Sequence, residues 1–307
     1  MPIVECYKKV SKDCLKFIKS QETKKDKFKN KEKMIKSFLI PISFWIASKA
    51  NKSKPYFVGL AGGQGTGKTT VSSILAIILR KYFKKNVFKI SIDDFYKTRK
   101  ERKFLSKKIH PFLMTRGVPG THDINIMLNF FKKAKSKSFR SLKLPKFDKA
   151  IDDRCDKKFW HSINKRPDVI IFEGWCVGAR AENNITLKKT INLLEKKDDK
   201  KLIWRKFVNQ QLKLKYKKLY AQLDCLLFLK AESFGLLQQW RLKQEKKLRL
   251  NNKGIRNSKI MNKKDVIKFM QTYQRVTQNM FKHAPKYSSI ILNLNRNHQI
   301  KSVKYKI

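Results

Sequence analysis

The sequence predicts an α/β fold in which a mainly parallel, five-stranded sheet carries helices on both faces. Short apolar runs alternate with longer stretches of helical periodicity, in the order β-α-β-insert-β-α-β-α-α-β, which is typical of parallel sheets. The second observation is that the first apolar run ends abruptly in a glycine-rich stretch that leads straight into a helix. The five predicted strands lie at 56–60, 86–92, 168–172, 223–229 and 289–294, and the main helices at 71–84, 124–134, 204–220, 233–250 and 264–282.

The glycine-rich stretch from Gly62 to Thr69 has the pattern G-x-x-x-x-G-K-T of a phosphate-binding loop. Its glycines allow backbone N–H groups to lie against a phosphate chain, and the following helix N-terminus favours anions. Lys68 would place a charge on the β- and γ-phosphates, and the Thr69 hydroxyl would bind Mg²⁺. Because a strand precedes the motif and a helix follows it, a P-loop NTPase fold is favoured over a chance match. The predicted nucleotide-binding residues are Gly62, Gly63, Gln64, Gly65, Thr66, Gly67, Lys68, Thr69 and Thr70.

Carboxylates follow two further strands. Asp93 and Asp94 stand at the end of the run at 86–92, and Glu173 directly follows the apolar run at 168–172. Ligands of open α/β sheets bind beyond the carboxyl ends of the strands. The aspartate pair is therefore a candidate for a base and an Mg²⁺ ligand, although it could equally cap the following turn. Glu173 fits the second magnesium-side position of such sites, and the predicted metal residues are Thr69, Asp93 and Glu173.

The chain of 307 residues has a formal net charge of +51. Such a charge suggests nucleic-acid binding. However, 60 of the 74 basic residues are lysine, they are spread along the whole chain, and other residues with A/T-rich codons are abundant. Genome composition therefore explains the charge better, and we expect no specific nucleic-acid partner.

Five cysteines, widely spaced and without a C-x-x-C pair, suggest a reducing compartment and no zinc site. Lysines interrupt the first twenty residues, so no signal peptide is visible. The longest apolar run, Phe38 to Ala47, contains Pro41 and is too short to span a bilayer. The sequence thus predicts a cytoplasmic protein that does not enter a membrane.

Two segments lie outside the alternating strands and helices: one precedes them and the other interrupts them. Residues 1–50 are predicted to form a helical extension packed on a P-loop core at 51–307, with a weak apolar stripe at Val4, Leu15, Phe17 and Ile18. Residues 97–165 form an insert without strong periodicity, apart from the helix that Asp123 would cap. Loops of this length in a compact domain are usually functional.

In combination, six motifs are similar to those of the P-loop D-glycerate 3-kinase family, in the wider group with pantothenate kinase, uridine kinase and phosphoribulokinase. The resemblance covers roughly residues 38–296, and the 116–123 and 172–175 stretches are its most specific parts. The motifs are 62–69, 91–96, 116–123, 145–154, 172–175, and Trp240 and Arg241 with Gln244 and Glu245.

The resemblance implies that ATP phosphorylates a hydroxyl of D-glycerate, with Mg²⁺, to give 3-phosphoglycerate. It makes Asp93 the base, with Asp94 as the less favoured alternative. The implied acceptor-binding residues are Asp93, Arg116, His122, Lys149 and Arg154, and the implied catalytic residues are Lys68, Asp93, Glu173 and Arg241. Arg241 and Arg249 would belong to a lid at about 233–262 that closes over the phosphates.

Three alternatives remain open at this stage. The acceptor could be pantothenate, a nucleoside or another hydroxy acid, because function resides in the site and not in the fold. A nucleic-acid-stimulated ATPase would use the +51 charge. A pseudo-enzyme would need a damaged site, but Lys68, Thr69, Asp93 and Glu173 are all present.

Overall fold

A computed structural model describes residues 2–23, 27–51, 53–251 and 261–306, with the side chains of 247–251 left out. Its strands are β1 Tyr56–Gly62, β2 Val87–Ser91, β3 Leu142–Leu144, β4 Phe147–Asp148, β5 Asp153–Arg154, β6 His161–Ile163, β7 Val169–Gly174, β8 Cys225–Lys230, β9 Ile290–Leu294 and β10 Ile300–Tyr305. Its α-helices are α1 Pro2–Gln21, α2 Lys31–Lys33, α3 Ile40–Lys49, α4 Lys68–Lys81, α5 Arg99–Lys108, α6 Ile124–Lys135, α7 Asn184–Lys188, α8 Leu193–Asp198, α9 Ile203–Gln211, α10 Lys217–Tyr220, α11 Phe234–Asn251 and α12 Lys263–Tyr287.

The central sheet has the strand order β10-β9-β8-β1-β7-β2. The five predicted strands are all present and run parallel to their neighbours, which confirms the predicted α/β fold. The sheet has six strands rather than five, because β10 pairs antiparallel with β9 at one edge. Two short hairpins in the insert, β3 with β6 and β4 with β5, lie outside this sheet.

Helices cover both faces of the sheet, and the strand residues alternate between them. In β1, Val58 and Leu60 pack into a core with α1, α3 and α4, whereas Phe57 and Ala61 pack into a second core with α6, α9 and α10. This alternation follows from the two-residue period of a strand. A strand covered on both faces reads as a continuous apolar run, which is why these strands were visible in the sequence.

Helix α1 packs against α4, the helix that follows the glycine-rich loop. Its buried face consists of Cys6, Val10, Cys14 and Ile18, spaced four residues apart. The predicted stripe is therefore wrong for Val4 and Leu15, whose side chains are exposed. Four-residue spacing places side chains on one face of a helix, so the two cysteines complete an apolar seam.

The second core contains a buried ionic network that joins α8, α9 and α12 to the segment before α7. Arg275 of α12 binds Glu195, at 2.7 Å, and Glu182, at 3.0 Å, while Arg205 of α9 lies 3.6 Å from the same Glu195. Buried charges require such partners, since losing one leaves the other uncompensated. The network therefore fixes α12 beside the segment that follows β7.

Among the described residues, no helix is long and apolar enough to cross a membrane.

Candidate active site

The glycine-rich loop lies between β1 and α4, at the carboxyl end of the central strand. Gly65 and Gly67 adopt φ values of 81° and 83°, in the left-handed region that favours glycine. A Cβ atom at Gly67 would meet no atom of the described residues within 4 Å, so this part of the chain leaves space beside the loop. Within the loop, the Thr66 hydroxyl donates to the Gly63 carbonyl at 2.9 Å. The loop thus has the backbone shape and the free face that a phosphate chain requires.

Lys68, the first residue of α4, turns its side chain back over the loop. Its Nζ donates to the carbonyl oxygens of Gly62, at 2.9 Å, and Gly63, at 3.0 Å. Burial lowers the pKa of Lys68, and the nearby carboxylates of Glu173 and Asp93 act in the opposite direction. The ammonium group therefore stands between the loop and both predicted carboxylates.

The fold brings together Thr69 and Glu173, two predicted metal-binding residues that lie far apart in the sequence. The Thr69 hydroxyl donates to Glu173 Oε1 at 3.0 Å, and the Ser72 hydroxyl donates to Oε2 at 2.8 Å. Strand register explains the meeting, because Glu173 in β7 lies beside Leu60 of β1 and Ser91 of β2. Ser72 was missed in the sequence, although its position one helical turn after Thr69 was a usable signal.

The two aspartates after β2 have different roles. A 3₁₀ helix at Ile92–Phe95 begins there, and Asp94 accepts a hydrogen bond from the Ser91 N–H at 3.0 Å as part of a capping box. Burial raises the pKa of Asp94 to about 6. The capping interpretation is therefore correct for Asp94, while Asp93 is left free to face the site.

Asp93 is held by Tyr96 and Lys149. The Tyr96 hydroxyl donates to Oδ1 at 3.0 Å, and Lys149 Nζ lies 2.7 Å from Oδ2. Burial raises the pKa of Asp93, but Lys149 outweighs it through its charge and its hydrogen bond, so that the pKa lies below its usual value. Asp93 is thus an ionised carboxylate that points its second oxygen at a largely exposed lysine.

The two arginines of the insert that were predicted to bind the acceptor have different surroundings. Arg116 forms an ion pair with Asp152, which also binds the fully buried Arg102 at 3.0 Å. Arg154 donates to the Tyr96 carbonyl at 2.8 Å and lies 3.3 Å from Asp123. Arg116 thus lies at the edge of the site with its Nη1 paired to Asp152, whereas the Arg154 guanidinium is mainly engaged in holding the backbone next to Asp93.

His122 lies behind Tyr96 in the core. The two rings stack with their centroids 4.5 Å apart, and His122 Nδ1 is 2.6 Å from the Tyr216 hydroxyl. Its Nε2 has no hydrogen-bond partner among the residues that the structure describes. Burial lowers the pKa of His122 to about 4. The ring is therefore neutral near pH 7, and it supports Tyr96 from behind.

This neutral histidine makes stability depend on pH. Its folded-state pKa of about 4 lies below the usual value of 6.5, so the unfolded chain takes up the proton first as the pH falls. We expect His122 to cost about 2 kcal/mol of stability between about pH 7.5 and about pH 5. Urea unfolding at both values should show a smaller loss for His122→Gln than for the wild type. Equal losses would contradict the assignment.

The predicted lid begins with α11, which packs directly on the glycine-rich loop. Cβ atoms added at Gly63 and Gly65 would lie 2.3 Å from Leu237 and 3.2 Å from Trp240. Arg241 pairs with the buried Glu245, and its guanidinium lies 5.6 Å from the Phe269 ring centroid. Residues 252–260 of the predicted lid, and the side chain of Arg249, lie outside the part of the chain that the structure describes.

Helix α12 contributes a site residue that the sequence analysis missed. The Tyr273 hydroxyl donates to the Arg116 carbonyl at 3.3 Å, and a Cβ at Gly117 would lie only 1.9 Å from that hydroxyl. Gly117, at φ 143°, is therefore required by the close approach of this ring. Burial raises the pKa of Tyr273, the Asp93 charge raises it further, and Arg116 and Arg241 lower it. Tyr273 thus stands between the predicted base, the insert and the lid helix.

Comparisons with known proteins place this chain in a family. No protein-family model matches the chain. The uncharacterized kinase mug58 of Schizosaccharomyces pombe is 31% identical over 230 residues, which are 72% of this chain and 79% of that protein. The chloroplastic D-glycerate 3-kinase of Arabidopsis thaliana is 25% identical over 266 residues, 81% of this chain but 56% of that protein.

The fold comparison agrees with the sequence comparison. A D-glycerate 3-kinase structure from Cryptococcus neoformans matches with a TM-score of 0.70 and 24% identity, covering 88% of this chain and 97% of that one. At this identity the match shows the fold alone, which is that of a P-loop kinase. Together with the sequence relatives and the geometry of residues 62–69, it leads to one conclusion. The chain belongs to the P-loop kinase family that includes mug58 and D-glycerate 3-kinase.

Proposed function

We propose that this protein is an ATP- and Mg²⁺-dependent kinase that phosphorylates a hydroxyl of D-glycerate to give 3-phosphoglycerate. The observation that carries the proposal is the position of Asp93, two residues beyond Ser91, the β2 residue that lies in register with Glu173. Its carboxylate is close enough to Lys68 to counter the lowering of that lysine's pKa. A carboxylate at this place can act on a hydroxyl that lies next to a bound γ-phosphate. The D-glycerate 3-kinases among the relatives and the structural neighbours support the choice of acceptor.

The residues of the loop fit a nucleotide and its metal. The N–H groups from Gly63 to Lys68 would surround the β-phosphate, and Lys68 would leave its carbonyl partners for the phosphate oxygens. Thr69, Glu173 and Asp93 offer oxygen donors, the type that Mg²⁺ prefers, and substrate phosphates usually complete such a shell. Bound there, the metal would supply positive charge next to the transferring group.

Asp93 would accept the proton of the acceptor hydroxyl. The hydroxyl oxygen then bonds to the γ-phosphorus as the bond from that phosphorus to ADP breaks. Lys149 must move away from Asp93 for this step. The Lys149 side chain is 61% exposed and can swing into solvent, while Asp93, 30% exposed, stays in place. Glu173, held by Thr69 and Ser72, would orient the metal's water shell.

The lid and the insert would surround the acceptor. Arg116 can grip a carboxylate through two parallel hydrogen bonds. Arg241 would neutralise charge on the transferring phosphoryl group once the lid closes, and closure would exclude water. In this proposal His122 and Arg154 contribute through Tyr96, whose hydroxyl holds Asp93 in place.

A second acceptor is favoured by one observation. Pantothenate kinase from Lacticaseibacillus casei is 27% identical over 137 residues, which are 44% of this chain. The shared part supports the same phosphoryl-transfer chemistry, and pantothenate, like glycerate, carries a carboxylate and a primary hydroxyl. A pantothenate-kinase-like activity is therefore the alternative to D-glycerate.

A coupled ADP-release assay tests the proposal. Purified protein with Mg-ATP would be offered D-glycerate, L-glycerate, pantothenate, uridine and single-stranded DNA in parallel, with Lys68→Ala as the background. We expect stimulation by D-glycerate alone, with 3-phosphoglycerate as the product. Stimulation by pantothenate or uridine would replace the acceptor, whereas stimulation by DNA alone would overturn the proposed function.

A further inference from the structure

A cavity of about 250 Å³ lies between the 112–118 segment and α12. Phe112 and Phe269 provide apolar walls, while Arg116 on one side and Lys268 on the other provide the cationic groups. Ligand sites commonly combine apolar walls with a few convergent polar groups. The cavity lining thus carries two cationic groups and one carboxylate, Asp265, and this excess of positive charge suits a small molecule that carries a negative charge.

The cavity is connected to the base through aromatic contacts. The Arg116 guanidinium lies 5.5 Å from the Phe147 ring centroid, and Phe147 packs against Tyr96 with ring centroids 5.2 Å apart. Tyr96 in turn donates to Asp93. On the opposite wall, Phe269 lies beneath Arg241 of the lid helix. The cavity thus lies between the insert that supports the base and the helix expected to close over the phosphates.

Lys268 is the cationic residue of this cavity that has no role in the proposed reaction so far. Its side chain is exposed, and it has no ion-pair partner among the residues that the structure describes. Asp265, one turn earlier on α12, also lines the cavity, but its Oδ2 accepts the Asn262 N–H at 3.4 Å as part of a capping box. Lys268 and Thr272 follow on the same helical face, because residues three and four apart are neighbours.

We propose that Lys268, together with Arg116, binds the carboxylate of the acceptor and thereby selects hydroxy acids over neutral polyols. This inference rests on the proposed function, and it adds α12 to the acceptor site. In this proposal Arg116 gives up part of its pairing with Asp152 so that both cations hold the carboxylate end of a short acceptor. Asp93 does not itself line the cavity, so the hydroxyl end would reach it along Phe147 and Tyr96. A neutral acceptor of the same length would form no ion pair with either cation.

The test compares acceptors that differ only in the charged group. D-Glycerate is paired with glycerol, and pantothenate with its alcohol analogue, panthenol. Lys268→Gln should raise the KM for the carboxylate acceptor about tenfold, with kcat little changed and the neutral acceptor unaffected. Lys268→Arg should restore most of the selectivity. Lys264→Gln is the matched control, since Lys264 is an exposed lysine of the same helix that does not line the cavity.

The outcomes separate this inference from the proposed function. If the wild type phosphorylates pantothenate and not D-glycerate, the proposed acceptor is wrong, while loss of the pantothenate-to-panthenol preference in Lys268→Gln still supports the inference. If Lys268→Gln changes both members of a pair equally, or neither, the inference is overturned even when D-glycerate is the substrate. A wild type that acts only on neutral acceptors overturns both.

Discussion

Replacing Asp93 by asparagine is expected to lower kcat by on the order of a hundredfold or more. The amide has nearly the same shape and can still accept the Tyr96 hydroxyl hydrogen bond, so the fold around it should persist. What is lost is the carboxylate that takes the proton from the acceptor hydroxyl. Steady-state kinetics with saturating Mg-ATP and acceptor would measure the loss, and thermal unfolding would show that the variant is folded.

Asp94→Asn is the matched control for this prediction. Asp94 is the third residue of the 3₁₀ helix, and its side chain accepts the N–H of the N-cap residue Ser91, a hydrogen bond that the side-chain oxygen of asparagine can also accept. We therefore expect kcat within a few-fold of the wild type. A variant of Asp94 that loses activity while Asp93→Asn retains it would assign the base to Asp94. Near-normal turnover by Asp93→Asn would remove the proposed role of Asp93.

The central strands could be predicted from the sequence because their environment is uniform. Strands β1, β7 and β8 are covered on both faces, so each is a nearly continuous apolar run. Strand β10 was missed for the opposite reason. It is an edge strand in which only Ile300 is buried and which carries two lysines, Lys301 and Lys304. Charged edge strands are common, since they discourage pairing with other chains, but their sequences resemble loops.

The contiguous motifs identified residues that the fold then brings together. Thr69 and Glu173 are 104 positions apart. Thr69 lies in the first turn of α4, just beyond the loop after β1, and Glu173 lies near the carboxyl end of the neighbouring strand β7, and this shared edge of the sheet made their meeting predictable. The roles of Arg154 and His122 could not be predicted from the sequence in this way. Their motif is visible, but whether a side chain faces solvent or supports Tyr96 depends on tertiary packing. Tyr273 was missed because no local pattern on α12 distinguishes it from a core aromatic.

Lys68→Ala is the second variant with a large expected effect, again a loss in kcat on the order of a hundredfold or more. Lys68 Nζ is already poised over the loop by the carbonyl groups of Gly62 and Gly63, so it needs little reorganisation to reach a phosphate. Its contribution is greatest when charge shifts during transfer, because a buried cation acts in a weakly screened environment. The loss should therefore appear mainly in kcat rather than in the KM for ATP.

Lys81→Ala provides the comparison for this variant. Lys81 is the last residue of the same helix, largely exposed, and pairs with Asp13 of α1 at 3.3 Å. Its removal takes the same charge from the same helix but from the end remote from the loop, so kcat should stay within a few-fold of the wild type. If the two variants lost activity equally, the effect would belong to overall charge or to helix stability. If only Lys68→Ala lost activity, the loss would be due to removal of the ammonium group at the phosphates. This is the expected result, because Lys68 lies in the first turn of α4, next to the phosphate-binding loop.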